Sequence, residues 1–435
     1  MEEYFPPRVR LRGKPQLSPQ EAAQLQKDFD HFRNGLPRPL ESHVLSTYGI
    51  DLKSEYGGLR VKNPFGKASG QLSLATHQVE KDASAGLGFV VLKTVIAQDS
   101  QGGQSMWEWA IPETRMAVER IRGRSGEVGW TVTWKGRGWY DTLEAYQRFF
   151  EQALEIGDAS QMLIVPSVKY HLPTPEEDSW KKDEYVFTTN LLLEPWRKHH
   201  PGSAMPLEKD FSPTLAGSER AAQQAKILEW LARVPGLIHS VSPGKIRVGL
   251  KMFNALFEDD FQVRMLEAVH NASAEDRADF LIYANRLFDP QKRYLDKVGV
   301  AYGGPDLSDR NLRVLEKFLA RHFARTDRPE FLLISATGDI HSGRVAAEYL
   351  LRGCSTFQMH TIFQLPDSEY AMNLGSKTEK ALHLLLFHPE EGLIAWLLHL
   401  RARFGWKAET SVFEMAEWCR NHWPRVEAEL CCDGC

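Results

Sequence analysis

From about residue 51 onward, short apolar runs alternate with longer stretches whose apolar residues recur every three or four positions. GLRVKNPFGKASG reads as a short strand with a glycine-bearing turn, LGFVVLKTV as a strand ending at Lys93, and VGWTVTW and SQMLIVPSV as further strands. Between the last two, DTLEAYQRFFEQALEIG has the spacing of an amphipathic helix stopped at Gly157. The second half continues with the strand IRVGLKMF, a helix through FQVRMLEAVHNA, the strand FLIYAN and a helix through NLRVLEKFLARHF. It ends with FLLISATG, the helix RVAAEYLLRG and the strand FQMHTIF. Helices of this length between strands predict a parallel sheet with crossover connections. A closed barrel and an open sheet share this pattern.

The flanks differ. Residues 1–50 form a Pro-containing approach segment with one predicted helix, EAAQLQKDFDHF. Residues 366–435 give three helical stretches and a Cys-rich tail, with Trp396 and Trp418 placed as packing residues. The 53 Lys and Arg against 57 Asp and Glu leave a charge of −4, so nothing draws the chain to nucleic acid or an anionic membrane. The apolar runs at 382–387 and 393–400 are too short to span a bilayer, and MEEYFPPRVRLRG lacks the order of a secretory signal. The five cysteines, Cys354, Cys419, Cys431, Cys432 and Cys435, leave the first 353 residues without a thiol. A cytoplasmic protein is expected. The CCDGC ending lacks structural-zinc spacing, and no metal site is expected there or at His341 and His360.

In a barrel, side chains at the C-terminal strand ends converge, which singles out Lys93, Lys251 and Asn285. An ammonium there can stand beside electron-rich cofactor atoms or an oxyanion. FLLISATGDIHSGR passes from strand to helix through Thr337, Gly338 and Gly343, a turn that can aim backbone amides at a phosphate. Asp339 is an awkward neighbour for that anion unless its carboxylate turns aside. After another strand, VPSVKYH offers Ser167, Tyr170 and His171 for proton transfer. His171 leads because imidazole titrates near neutrality.

Taken in order, NPFGKASG at 63–70, VVLKT at 90–94, GLK at 249–251, IYAN at 282–285 and ISATGDIHSGRVAAEYLLRGCSTFQMHT at 334–361 resemble the dihydroorotate dehydrogenase family. The flavin domain of dihydropyrimidine dehydrogenase is similar too. The resemblance covers roughly residues 50–405 and implies an α/β fold, a (β/α)₈ TIM barrel at 51–365 completed by the C-terminal helices. It also implies noncovalent FMN held by Ala68, Ser69, Lys93, Lys251, Asn285, Gly338, Asp339, Ile340, His360 and Thr361, with Lys93 near the reactive ring. The activity implied is hydride exchange at flavin N5 with a small-molecule substrate, a side chain moving the proton and an electron partner of unknown identity closing the cycle.

The departures shape the expected substrate. The family's Ser-Cys-Pro-Asn element at the fourth strand is compared with VPSVKYH, where Val168 cannot carry a proton. Where an asparagine-rich substrate loop is expected, SMWEWAIPETR places Trp107 and Trp109. A substrate other than dihydroorotate follows, with Ser167, Tyr170 or His171 as proton carrier. The alternative is a barrel that has lost flavin and keeps a phosphate or metabolite pocket for another activity or a binding role. Homodimerisation stays open.

Overall fold

The computed structural model describes residues 4–431 except 111, 113–114, 135–137, 213–214, 216 and 295–296. In chain order the strands are β1 (Ser54–Tyr56), β2 (Leu59–Val61), β3 (Phe65–Lys67), β4 (Phe89–Val91) and β5 (Val95–Ile96). There follow β6 (Met116–Arg122), β7 (Val128–Trp134), β8 (Leu163–Val165), β9 (Ser167–Lys169), β10 (Met205–Asp210) and β11 (Ile246–Lys251). The last are β12 (Phe280–Tyr283), β13 (Leu287–Tyr294), β14 (Lys297–Tyr302), β15 (Leu333–Thr337) and β16 (Cys354–Met359).

Ten of these form one curled, wholly parallel sheet in the order β5-β9-β10-β11-β12-β15-β16-β3-β4-β8. The molecule is thus an α/β protein, as the alternation predicts. Only Pro166 separates β8 from β9, because proline lacks the amide that a continuous strand would donate. The two pieces make one crossing of the sheet, the third counted from β3. The fourth crossing is β10.

Helices cover the outer face. Leu143–Ser160 lies on β8 and beside Lys182–His199, Gln224–His239 lies on β11, and Gly343–Leu351 lies on β16. Thr142 caps the first of these and Ser342 the last, each hydroxyl accepting a backbone amide of the opening turn. Inside the curl, Phe89, Val91, Val165, Phe280 and Ile282 pack with Tyr56 and Val61 of the antiparallel hairpin β1–β2. VGWTVTW, read as one more strand of the alternation, instead pairs antiparallel as β7 with β6, outside the parallel sheet. A third antiparallel hairpin, β13–β14, was not legible.

The approach segment carries the expected helix, Pro19–His31, whose capping box is Ser18 and Glu21, and a second one that was not expected, Leu40–Tyr48, ended by Gly49 in the left-handed region. At the other end, the helices Leu393–Phe404 and Val412–Asn421 pack on Gly343–Leu351. The approach is so close that a Cβ on Gly343 would lie 1.8 Å from the Leu393 amide nitrogen. Trp396 is buried, and Trp418 stacks on His422 at 4.7 Å among Phe404 and Trp406, so both serve packing. Cys354 and Cys419 are buried free thiols, while Cys432 and Cys435 lie outside the described residues. Among the described residues no helix is long and apolar enough to cross a membrane.

Candidate active site at the strand ends

The C-terminal ends of the parallel strands open into a cavity of about 1560 Å³ of atom-free space, its mouth included. The hairpins β6–β7 and β13–β14 contribute to its wall through Trp130, Thr133, Tyr294, Val300 and Ala301. Every residue that the resemblance implies for the cofactor lines this one cavity: Ala68, Ser69, Lys93, Lys251, Asn285, Gly338, Asp339, Ile340, His360 and Thr361. They come from segments up to 293 positions apart (68 to 361). The sheet brings them together because each follows or ends a parallel strand.

The floor is polar. Parallel register sets Glu208 against Ser167 and Gly249, and Asp210 against Lys251, so these side chains share the inner face. Glu208 accepts from the Tyr56 hydroxyl and from Gln358 Nε2, and its other oxygen lies 3.6 Å from Lys251 Nζ. Lys169 Nζ is 3.4 Å from Asp210 and 4.5 Å from the centre of the Trp109 ring. Against the effect of its own burial, Asp210 is held below the usual carboxylate range by Lys169, Lys251 and Lys209. Burial pushes Lys93 down to about 7, Asp210 opposing and Lys169 and Lys251 adding to the shift. Hydroxyls run from Ser69 to Thr94 at 2.8 Å and from Thr94 to Ser167 at 3.0 Å.

At the other side, Gly338 takes φ +122° and Asp339 φ +53°, both in the left-handed region, ahead of the helix Gly343–Leu351. A Cβ at 338 would sit 2.6 Å from Asn311 Nδ2. Asp339 turns its carboxylate to Ser308 Oγ at 3.1 Å and His341 Nδ1 at 3.4 Å. Desolvation lowers His341, but Asp339 outweighs it and raises the imidazole to about 9. A phosphate arriving here would meet a neutralised Asp339 rather than a bare carboxylate. His360 accepts from Gln364 Nε2 at 2.9 Å when Nδ1 is unprotonated. It is held neutral by burial and by the surrounding cations Arg286, Lys67, Lys93 and Lys251.

No protein-family model and no curated protein matches the chain.

The proton-transfer candidates on VPSVKYH separate. Ser167 faces inward but reaches the cavity only through Thr94, which lines it. Tyr170 points to the opposite face, its hydroxyl 2.6 Å from Thr189 on the helix Lys182–His199 and its ring stacked on Tyr185 at 4.4 Å. His171 is buried beside that helix, accepting from the Lys181 amide at 3.3 Å, with Nε2 3.5 Å from Glu177. Burial lowers it to about 4, with Glu177 opposing and Arg220 assisting. Neither Tyr170 nor His171 lines the cavity, because strand alternation sends residue 170 outward and the chain then leaves the sheet. The comparison with the fourth strand is corrected as well: VPSVKYH is the third crossing, and MPLEKDFS is the fourth.

The two tryptophans are also placed differently from expectation. Trp107 is 70% exposed and Trp109 is buried under Lys169, and neither lines the cavity. Asp210, Ser212, Thr94 and Arg286, which the sequence reading passed over, do line it. The available signal was MPLEKD itself, three charges in a run followed by FSP; it was hidden by Pro206 and by the polarity of a strand that is buried throughout. Among the described residues, no group of three or more His, Cys, Asp or Glu could hold a metal ion.

Proposed function

We propose that the chain is an FMN-dependent oxidoreductase acting on a small organic substrate other than dihydroorotate, and that its sheet closes as a (β/α)₈ barrel. Closure is supported by the ladder: β4 bonds to β8 and β9 to β10, with Leu92 N donating to Val165 O at 2.9 Å and Glu208 N to Pro166 O at 3.1 Å. Reading β4 with β5 and β8 with β9 as single interrupted strands leaves eight crossings.

The observation that carries the functional reading is the convergence of all ten implied cofactor residues on one cavity at the catalytic end of the sheet. Lys93 and Lys251 would stand by the ring, Asn285 would offer its amide, and Gly338–Ile340 with His360 and Thr361 would hold the phosphate end. When bound, FMN would supply hydride exchange with the substrate.

The chain's own side chains supply the rest. Asp210, kept ionised by its lysine neighbours, balances their charge at the cavity floor. Lys93, poised near neutrality, can give or take a proton at its Nζ. Asp339 holds His341 charged beside the phosphate turn.

The test is to purify the full chain, record its visible spectrum, and extract and identify any flavin, with reconstitution by FMN, FAD and riboflavin as controls. Bound FMN at one per chain is expected. A folded protein that neither retains nor takes up FMN would instead favour the flavin-free metabolite pocket.

A further inference from the structure

Glu208 of β10 is fully buried and does not line the cavity. The ring of Tyr56 beside it packs on Phe89 at 4.6 Å and Phe280 at 5.1 Å, in the apolar cluster inside the curl. A carboxylate in such surroundings is stable only if other groups meet its charge.

One Glu208 oxygen is satisfied by donors. The Tyr56 hydroxyl and Gln358 Nε2 both donate to it, and Gln358 Nε2 lies 2.9 Å from the Tyr56 oxygen as well. Burial raises Tyr56 and, on the covering helix Leu143–Ser160, Tyr146, with Glu208 adding to each shift, so both phenols keep their protons. The other oxygen, Oε2, accepts no hydrogen bond and has Lys251 Nζ at 3.6 Å. Lys251 Nζ also lies 3.5 Å from Gln358 Oε1, so two members of this cluster border one ammonium.

The register explains the pairing. Opposite Glu208 on β11 stands Gly249, which has no side chain, and Lys251, two positions on, reaches the carboxylate instead. Asp210, the residue opposite Lys251, also has Lys169 at 3.4 Å. The two carboxylates thus differ in place: Asp210 lines the cavity, and Glu208 lies behind the lysine.

We propose that Glu208 is the positioning residue of the cavity floor, holding the Lys251 ammonium in place and charged, and acting on a ligand through that lysine alone. This deepens the proposed function by naming the group that fixes the cation beside the flavin ring. It rests on that reading for the identity of what Lys251 meets.

The charge of Glu208 can be separated from its packing, because Glu208→Gln keeps an acceptor for Tyr56. Trace acetic anhydride, which reacts with unprotonated amines, is added near neutral pH to full-length wild type and variant. Acetylation of Lys251 is read by peptide mass spectrometry against the exposed Lys14. It should be about ten- to a hundredfold faster in Glu208→Gln, the change expected when an ammonium loses a buried counter-charge. Where FMN is bound, its midpoint potential should fall in the same variant, because a cation beside the ring favours the reduced form. Equal acetylation in the two proteins overturns the proposal. Should Glu208→Gln not fold, or Lys251 be acetylated in neither protein, thermal melts of Lys251→Met decide. That variant leaves Glu208 buried beside a methionine, so its deficit against wild type should shrink as falling pH protonates the carboxylate. The double variant Lys251→Met/Glu208→Gln should lack that pH dependence. A deficit that does not change with pH overturns the proposal, and so does a pH dependence that survives in the double variant, which would assign it to Asp210. Wild type without FMN would sink the flavin reading alone, because acetylation and melts need no flavin.

Discussion

Two groups of buried charges use the same residue types in opposite ways. Just ahead of β16, Arg352 Nη1 donates to Glu348 Oε2 at 2.9 Å, Nη2 to a Glu316 carboxylate oxygen and to Val9 O at 2.5 Å, and Nε to Leu312 O at 3.1 Å. The same two carboxylates accept the amides of Val9 at 2.9 Å and Leu11 at 2.6 Å, strapping the approach segment to the helices Pro305–Ala324 and Gly343–Leu351. At the cavity, Lys93 and Arg286 are also buried and line the open space. The outcome differs in sign. Burial lowers all three cations, but Glu316 and Glu348 reverse the effect and raise Arg352 above its ordinary value, whereas Lys93 falls to about 7 and Arg286 to about 9. Carboxylates set beside Arg352 outweigh its burial, whereas at Lys93 and Arg286 burial prevails.

The largest expected effect breaks the matched side. Arg352→Met leaves Glu316 and Glu348 buried against an apolar chain and should cost about 3–5 kcal/mol in denaturant unfolding, with protease access to the freed approach segment. A loss under about 1 kcal/mol would remove the contrast between the two groups. On the cavity side, Lys93→Met should leave the unfolding midpoint near its original value at pH 7 while weakening FMN about ten- to a hundredfold, read by equilibrium dialysis. Its pH signature sharpens the point. Between about 7 and the ordinary 10.5 the unfolded chain holds a proton on Lys93 that the fold releases, so stability rises with pH across that window. The variant should flatten that rise in thermal melts.

His171 tests whether packing and chemistry have been told apart. His171→Gln should leave FMN retention unchanged. With the wild-type imidazole lowered from 6.5 to about 4, the fold holds it neutral while the unfolded chain takes up a proton, so stability falls as pH drops from 6.5 toward 4. The variant should lose that part of the acid sensitivity, measured by melts between neutral and acid pH. Smallest is the effect at the turn 338–340. His341, raised from 6.5 to about 9, adds stability that is fully present below 6.5 and is lost as pH rises through about 9. FMN retention should weaken over the same window and lose that dependence in His341→Asn. Because His341 is half exposed, added salt should shrink the difference.

The alternation of strands and helices was legible because the sheet is buried on both faces, so LGFVV, FLIYA and FLLISA had to be apolar runs and the covering helices had to be one-sided. The cavity-lining residues from Ala68 to Thr361 were legible for a related reason: they sit in short segments at strand ends, where sequence order and spatial order coincide. MPLEKD defeated the same reasoning. A buried strand holding Glu208, Lys209 and Asp210 is stable only because Tyr56, Gln358, Lys251 and Lys169 arrive from four other places in the chain to meet those charges. Pro166 concealed the directions of Ser167, Tyr170 and His171 until the register with β10 fixed which of them face inward. The two hairpins, and with them Arg286, were decided by tertiary structure alone. Local sequence carries propensity and period, but a charge in low dielectric takes its role from whichever groups the folded chain sets beside it.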